Sequence, residues 1–473
     1  MTCSRSWHPL TAFALLVSPW IVSPSMARGD HLPMEVAKAP QAVIRSQQVR
    51  VLPGQLDEVL VVNDNNPELI TGEGILVSTF RQPPGLDLAL SGRFDLFSHH
   101  VFAGKEDESK STLWLAVLAQ PTGDAAVTMK LLGGSTSLSQ ATRKGQTAAP
   151  FLPLPALMSE SGTPIAAGPG SRVAGDILRD ESAPELPDSW RIAPGSASAL
   201  VVLPIPVEGL DPLLNGRNLQ MRLHSSGPVH LATVAAYGEG DRAPSLSRLQ
   251  SLLASGQQSP KEHTPTPRGS QGKIIYSRVS GVQIGSTWTA TLTDPGSRDL
   301  ALTGQAVSWP ISSLERGDLQ TGQVQTAELK VFEKGTAWAA HGNYGVEYDL
   351  SLPLRNPGPT HRTVALALES PDKNGSNAKR LRFSGGDSSP VMFRGPIEVR
   401  GLDDEQGQAQ GRRRFHLVLR RGQQGPQLGR VTLAPGERRQ VRIRLIYPAD
   451  ATPPQVLSIL PVKQSTTASN RRP

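Results

Sequence analysis

The sequence predicts an all-β protein: two antiparallel β-sandwich domains joined by a short helix and a Pro-rich linker. Three observations carry this. Apolar and polar residues alternate at period two in many short runs. Turn-forming Pro and Gly separate those runs, and no long helices alternate with them as a parallel sheet requires. Glycine and proline number 45 and 41 in 473 residues. That is more than a helical protein carries and less than a low-complexity chain. The length suits two or three units, each able to bury its own core.

Residues 1–27 read as a signal peptide. Arg5 precedes a short apolar stretch at 10–22, broken by Pro19 with Pro24 beyond it, and Ser25-Met26-Ala27 supplies small residues for cleavage. The stretch is too short to cross a bilayer, and no later segment is long enough. The single cysteine, Cys3, lies in this leader, so the mature chain from Arg28 is expected to lack disulfides and thiolate chemistry. A periplasmic or extracellular location follows, in a bacterial envelope.

Residues 28–243 are expected to form the first sandwich, with alternating runs at 112–118, 127–131, 199–203 and 230–234. Residues 244–272 hold a helix and a linker. Leu246, Leu249, Leu252 and Leu253 fall at helical spacing, Ser245 is a suitable N-cap and Gly256 a stop. The Pro, Gly and charged residues that follow show no apolar period. Residues 273–465 form the second sandwich, with runs at 344–352, 364–368, 415–419 and 441–445, and 466–473 a disordered tail. Turns recur in similar order in both halves, a pattern produced by duplication or by turn chemistry alone.

Five blocks are distinctive: 91–100 (SGRFDLFSHH), 168–173 (GPGSRV), 340–348 (AHGNYGVEY), 420–425 (RRGQQG) and 447–455 (YPADATPPQ). They resemble exported cyanobacterial proteins grouped as the domain-of-unknown-function 3370 family, over nearly all of the mature chain. The resemblance implies a cyanobacterial source and export. It brings no reaction, ligand or functional residue with it.

Candidate chemistry is sparse. His99 and His100 are considered for ligand binding or proton transfer, yet neighbours on a strand point to opposite faces and cannot chelate one ion together. Structural histidines are the plainer reading. Asn63-Asp64-Asn65-Asn66-Pro67-Glu68, with Glu73 nearby, and Asp403-Asp404-Glu405 offer oxygen ligands in turns. They leave a weak case for calcium, and no other cofactor or metal is expected. No nucleophile elbow, phosphate loop or dinucleotide fingerprint is present. Tyr344 and Tyr348 share a face with Val346, Leu350 and Leu352 and read as core, which leaves Trp338 and His341 as a candidate ligand pair.

Charge is concentrated. Residues 412–444 hold ten arginines, no lysine and one acid, Glu437, for +9, while the whole chain is +7. Removing Arg5 leaves a mature chain of +6, so the remainder sums to −3. Arg442 and Arg444 oppose Val441, Ile443 and Leu445, and His416 and Arg420 oppose Phe415, Leu417 and Leu419. Paired, such strands present a solvent-facing guanidinium row of Arg412, Arg414, Arg420, Arg442 and Arg444, suited to carboxylate or sulfate. The expected partner is an acidic polysaccharide or other anionic envelope component, not nucleic acid. The function expected is an exported envelope binding or structural protein without catalysis. The alternative is a carbohydrate-active hydrolase with carboxylates and histidine in an inter-domain cleft.

Overall fold

The computed structural model describes residues 42–462 apart from 83, 105–111, 141–151, 154–165, 240–241 and 387–388. The expected leader and tail lie outside the described residues. Within them the protein is all-β, with two short helices, α1 (Pro169–Leu178) and α2 (Leu246–Ser255). No helix among them is long and apolar enough to cross a membrane.

A ten-stranded sheet is organised on Leu214–Tyr237, 24 residues long. Its first half lies between Leu90–Ala103 and Val127–Leu138. The register breaks between Ser225 and Val229, and the second half pairs instead with Thr112–Pro121 and Gly74–Ser78. An irregularity of this kind lets one strand bend and serve two layers. Between those layers lie Phe94, Leu96, Leu115, Val117, Met221 and Leu231, all essentially inaccessible.

A second core lies between two further sheets. The seven-stranded sheet runs Arg412–Arg420, Val391–Arg400, Arg438–Ile446, Glu347–Arg355, Thr287–Thr291 and Gln55–Leu56, with Leu300–Ala301 beside Glu347–Arg355. The five-stranded sheet runs Gln48–Val49, Val307–Ile311, Gln455–Pro461, Arg362–Glu369 and Gln427–Leu433. Tyr348, Leu350 and Leu352 from one sheet meet Trp309, Leu366 and Leu457 from the other. This is the core face that the alternation at 344–352 predicts.

Two expectations need correction. Pairing is mixed rather than purely antiparallel: Leu60–Ile70 runs parallel to Leu90–Ala103, and Thr287–Thr291 parallel to Glu347–Arg355. The chain makes the long crossovers that parallel neighbours need. Nor do the sheets divide at 244–272. Val279–Ile284 and Leu329–Phe332 belong to the first sheet, while Gln48–Val49 and Gln55–Leu56 belong to the other two. Strand complementarity, not the Pro-rich composition of a connection, sets where the layers part.

The helix expected from the leucine spacing is present as α2. Ser245 Oγ accepts from Arg248 N at 3.3 Å, and Gly256 closes the helix at φ 67°. α1 was not expected. Proline occupies its first turn, and Asp450, far along the chain, accepts from Ser171 N at 2.7 Å. Val173, Ala174, Ile177 and Leu178 are buried, packing with Ile446 of the second half.

Candidate functional site: a strapped aromatic cavity

After α2 the linker is anchored before it is free to wander. Arg278, almost fully buried, donates to Ser259 O at 2.9 Å and to Pro260 O at 2.7 Å, and Lys261 Nζ reaches Gly335 O at 2.5 Å. The chain then doubles back: Thr266 N donates to Ile275 O at 3.1 Å, and Ile275 N to Thr266 Oγ1 at 2.7 Å. Gly269 and Gly272 turn it at φ 79° and 87°, where a side chain would be strained. The Pro-rich stretch is therefore a closed strap, 266–275.

Beneath the strap lies a cavity of about 840 Å³. Its floor carries Trp338 and His341, the pair singled out by the sequence, and Tyr276 joins them from the end of the strap. The Tyr276 and His341 rings meet edge to face, centroids 4.6 Å apart. His341 Nε2 donates to Ser277 O at 2.5 Å, and burial lowers its pKa to about 4, so the ring is neutral at ordinary pH. Trp338 is half-buried, while Tyr276, Ile275 and Val324 are exposed around the opening. Smaller cavities of about 390 and 550 Å³ lie elsewhere. Among the described residues the first has no aromatic lining, and the second has Phe332 alone.

Two arginines tie strap to floor. Arg268, on the strap, stands 4.8 Å from the Trp338 ring centroid and 3.2 Å from Glu328. Arg316, on the floor, donates to Ser270 O at 2.7 Å and to Gly272 O. Rings, guanidinia, and the carboxylates of Glu315 and Glu328 thus line one space. Aromatic faces with a few oriented polar groups suit a ligand having an apolar face and a hydroxylated edge. Composition hid Tyr276, Arg268 and Arg316, because the strap reads as a spacer. The apolar trio Ile274-Ile275-Tyr276 at its end was the available signal.

The arginine row forms, with Arg412 and Arg442 exposed, but most of its guanidinia are already engaged by acids of the same protein. Arg442 pairs with Asp349 through two hydrogen bonds. Arg444 lies 2.6 Å from Glu347 and 3.8 Å from Glu398. Arg412 and Arg414 lie 3.3 and 2.9 Å from Glu398, and Arg414 also donates to Leu178 O at the end of α1. Arg420 donates to Ser389 O at 2.8 Å. Arg222 of the first sheet reaches Glu347 at 2.7 Å. Although burial would raise the Glu347 pKa, Arg222 and Arg444 hold it below the usual range. This outer face is turned toward α1 and the first sheet, and acids from neighbouring strands occupy the guanidinia of Arg412, Arg414, Arg442 and Arg444.

His99 and His100 do diverge. His100 is fully buried on the core face, its Nε2 2.9 Å from Asp64 Oδ2 but not aligned as a hydrogen bond. His99 is only partly buried, and desolvation, then the neighbouring His100, lowers its pKa to about 4. The Asn63-Asp64-Asn65 oxygens lie inside the strand Leu60–Ile70, not in a turn, and all three residues are buried. Asp403 and Asp404 accept backbone N–H groups of Thr432, Gln406 and Gln408. Among the described residues no three His, Cys, Asp or Glu converge as a metal site.

A family model described as "Protein of unknown function (DUF3370)" matches residues 47–461. No protein among those with curated descriptions matches the chain.

Proposed function

The chain belongs to the DUF3370 family, and from that premise we propose that it is an exported, non-catalytic envelope protein that binds a saccharide chain in the strapped cavity. One observation carries this: Tyr276, Trp338 and His341 converge in a space of about 840 Å³ rimmed by guanidinium and carboxylate groups. Pyranose rings present a C–H face that stacks on indole or phenol and an edge of hydroxyls for such a rim. Export rests on the leader-like residues 1–27 and on a mature chain without cysteine. The contact expected at the strand arginines moves to the cavity in this reading, because Arg412, Arg414, Arg442 and Arg444 already pair with acids of the same protein.

The test is titration of purified protein with soluble envelope oligosaccharides, followed by calorimetry. Trp338→Ala should weaken binding by about tenfold or more, the equivalent of about 1.4 kcal/mol. Arg442→Ala/Arg444→Ala should bind like wild type if it stays folded. No reducing ends should appear on prolonged incubation. Full retention of binding by Trp338→Ala would remove the cavity from the reading. Release of reducing ends would favour the hydrolase instead.

A further inference from the structure

We infer that the saccharide is acidic, a chain bearing carboxylate or sulfate groups, and that these groups take over Arg268 and Arg316 from their present partners. This rests on the saccharide reading above and narrows it to a ligand class.

Both guanidinia sit in the cavity wall with replaceable partners. Arg316 is exposed and donates to two backbone carbonyls, Ser270 O and Gly272 O. Those acceptors are neutral, and a charged acceptor makes a hydrogen bond roughly twice as strong. Arg268 pairs with Glu328 across 3.2 Å with side-chain exposures of 68% and 73%. An exposed pair of this kind contributes about 0–1 kcal/mol. Carboxylate and sulfate match the planar fork of arginine far better than a single carbonyl does.

The exchange also explains how Trp338 becomes available. In the present structure Arg268 covers its ring at 4.8 Å. An anionic group that draws Arg268 away uncovers the indole for the sugar face, so charge recognition and stacking occur together. A neutral sugar must displace the guanidinium without compensation. Glu315 and Glu328 line the same cavity, which disfavours a dense polyanion. The geometry fits acidic units spaced along an otherwise neutral chain.

The experiment uses the full mature chain and three oligosaccharides of equal length and backbone: neutral, uronate-bearing and sulfated. At low salt either acidic form should bind about tenfold more tightly than the neutral one, and high salt should erase most of that ratio. The tighter acidic form identifies the natural group. Arg268→Ala and Arg316→Ala should each compress the acidic-to-neutral ratio toward one while neutral binding persists. Arg268→Lys and Arg316→Lys, which keep the charge and the strap, should give intermediate ratios. Equal binding of neutral and acidic forms, or a ratio untouched by both Ala variants, overturns the inference and leaves the saccharide site standing. Failure of all three ligands to bind sinks the saccharide reading itself.

Discussion

Burial pushes the Glu333 carboxyl up to about 8, and the neighbouring Asp64 carboxylate adds to the push against the opposing pull of Arg278. Its Oε2 accepts from Gln258, while Oε1 is buried with no hydrogen-bond partner among the described residues. The folded protein therefore holds a proton that the unfolded chain, titrating near 4.5, releases. The stability this proton contributes is complete below pH 4.5 and is lost as pH rises toward about 8. Each unit of that window costs at most about 1.4 kcal/mol from this group. Glu333→Gln keeps an acceptor for Gln258 and removes the titration. It should match wild type near pH 5 and exceed it by a few kcal/mol near pH 9, read as urea midpoints. Parallel pH profiles for the two proteins would show that Glu333 is not the source.

At the scale of elements, the arginine strands work as an ionic seam between layers. Glu347 is 5% exposed and serves Arg222 of the first sheet together with Arg444 of its own. Removing it strands two partly buried guanidinia, and Glu347→Ala should cost about 3–5 kcal/mol. Asp349 serves Arg442, which is 49% exposed, so Asp349→Ala should cost about 1 kcal/mol or less. Urea unfolding of the two variants checks the contrast, and equal losses would deny the seam its role. The faces of these strands were readable from alternation: Val441, Ile443 and Leu445 are buried opposite Arg442 and Arg444. Their partners were not readable, because Glu347, Asp349 and Glu398 arrive from strands distant in sequence. α2 was legible because its signals are local. α1 was not, because two glycines and a proline weaken its pattern and its capping carboxylate comes from Asp450. The same logic governs the cavity: Trp338 and His341 stood out locally, whereas Tyr276, Arg268 and Arg316 reach them only through the folded strap.

Across the whole molecule, the chain threads the two cores through one another. Residues 43–56 leave the first half to pair in the sheets of the second, and Val279–Ile284 with Leu329–Phe332 return to the first. A cut just after α2, ahead of the strap, therefore does not separate two foldable pieces. A fragment ending at 258 lacks the strands that cover Leu60–Ile70, leaving the edge around Val62 and the buried Asp64 unpaired. A fragment starting at 259 lacks Gln48–Val49 and Gln55–Leu56, which flank Val307–Ile311 and Thr287–Thr291. Each loses part of its own core and keeps strands that belong to the other. Expressed alone, both fragments should be insoluble or show no cooperative melt. Co-expressed, they should recover as one complex that unfolds in a single transition, because the missing strands are then supplied in trans. Arg222–Glu347 and the Asp450 cap on α1 add polar contacts across the same boundary. Independent, cooperative folding of either fragment would mean that the exchanged strands are ornaments on two self-sufficient cores. The strap would then be a true linker, as its composition suggests.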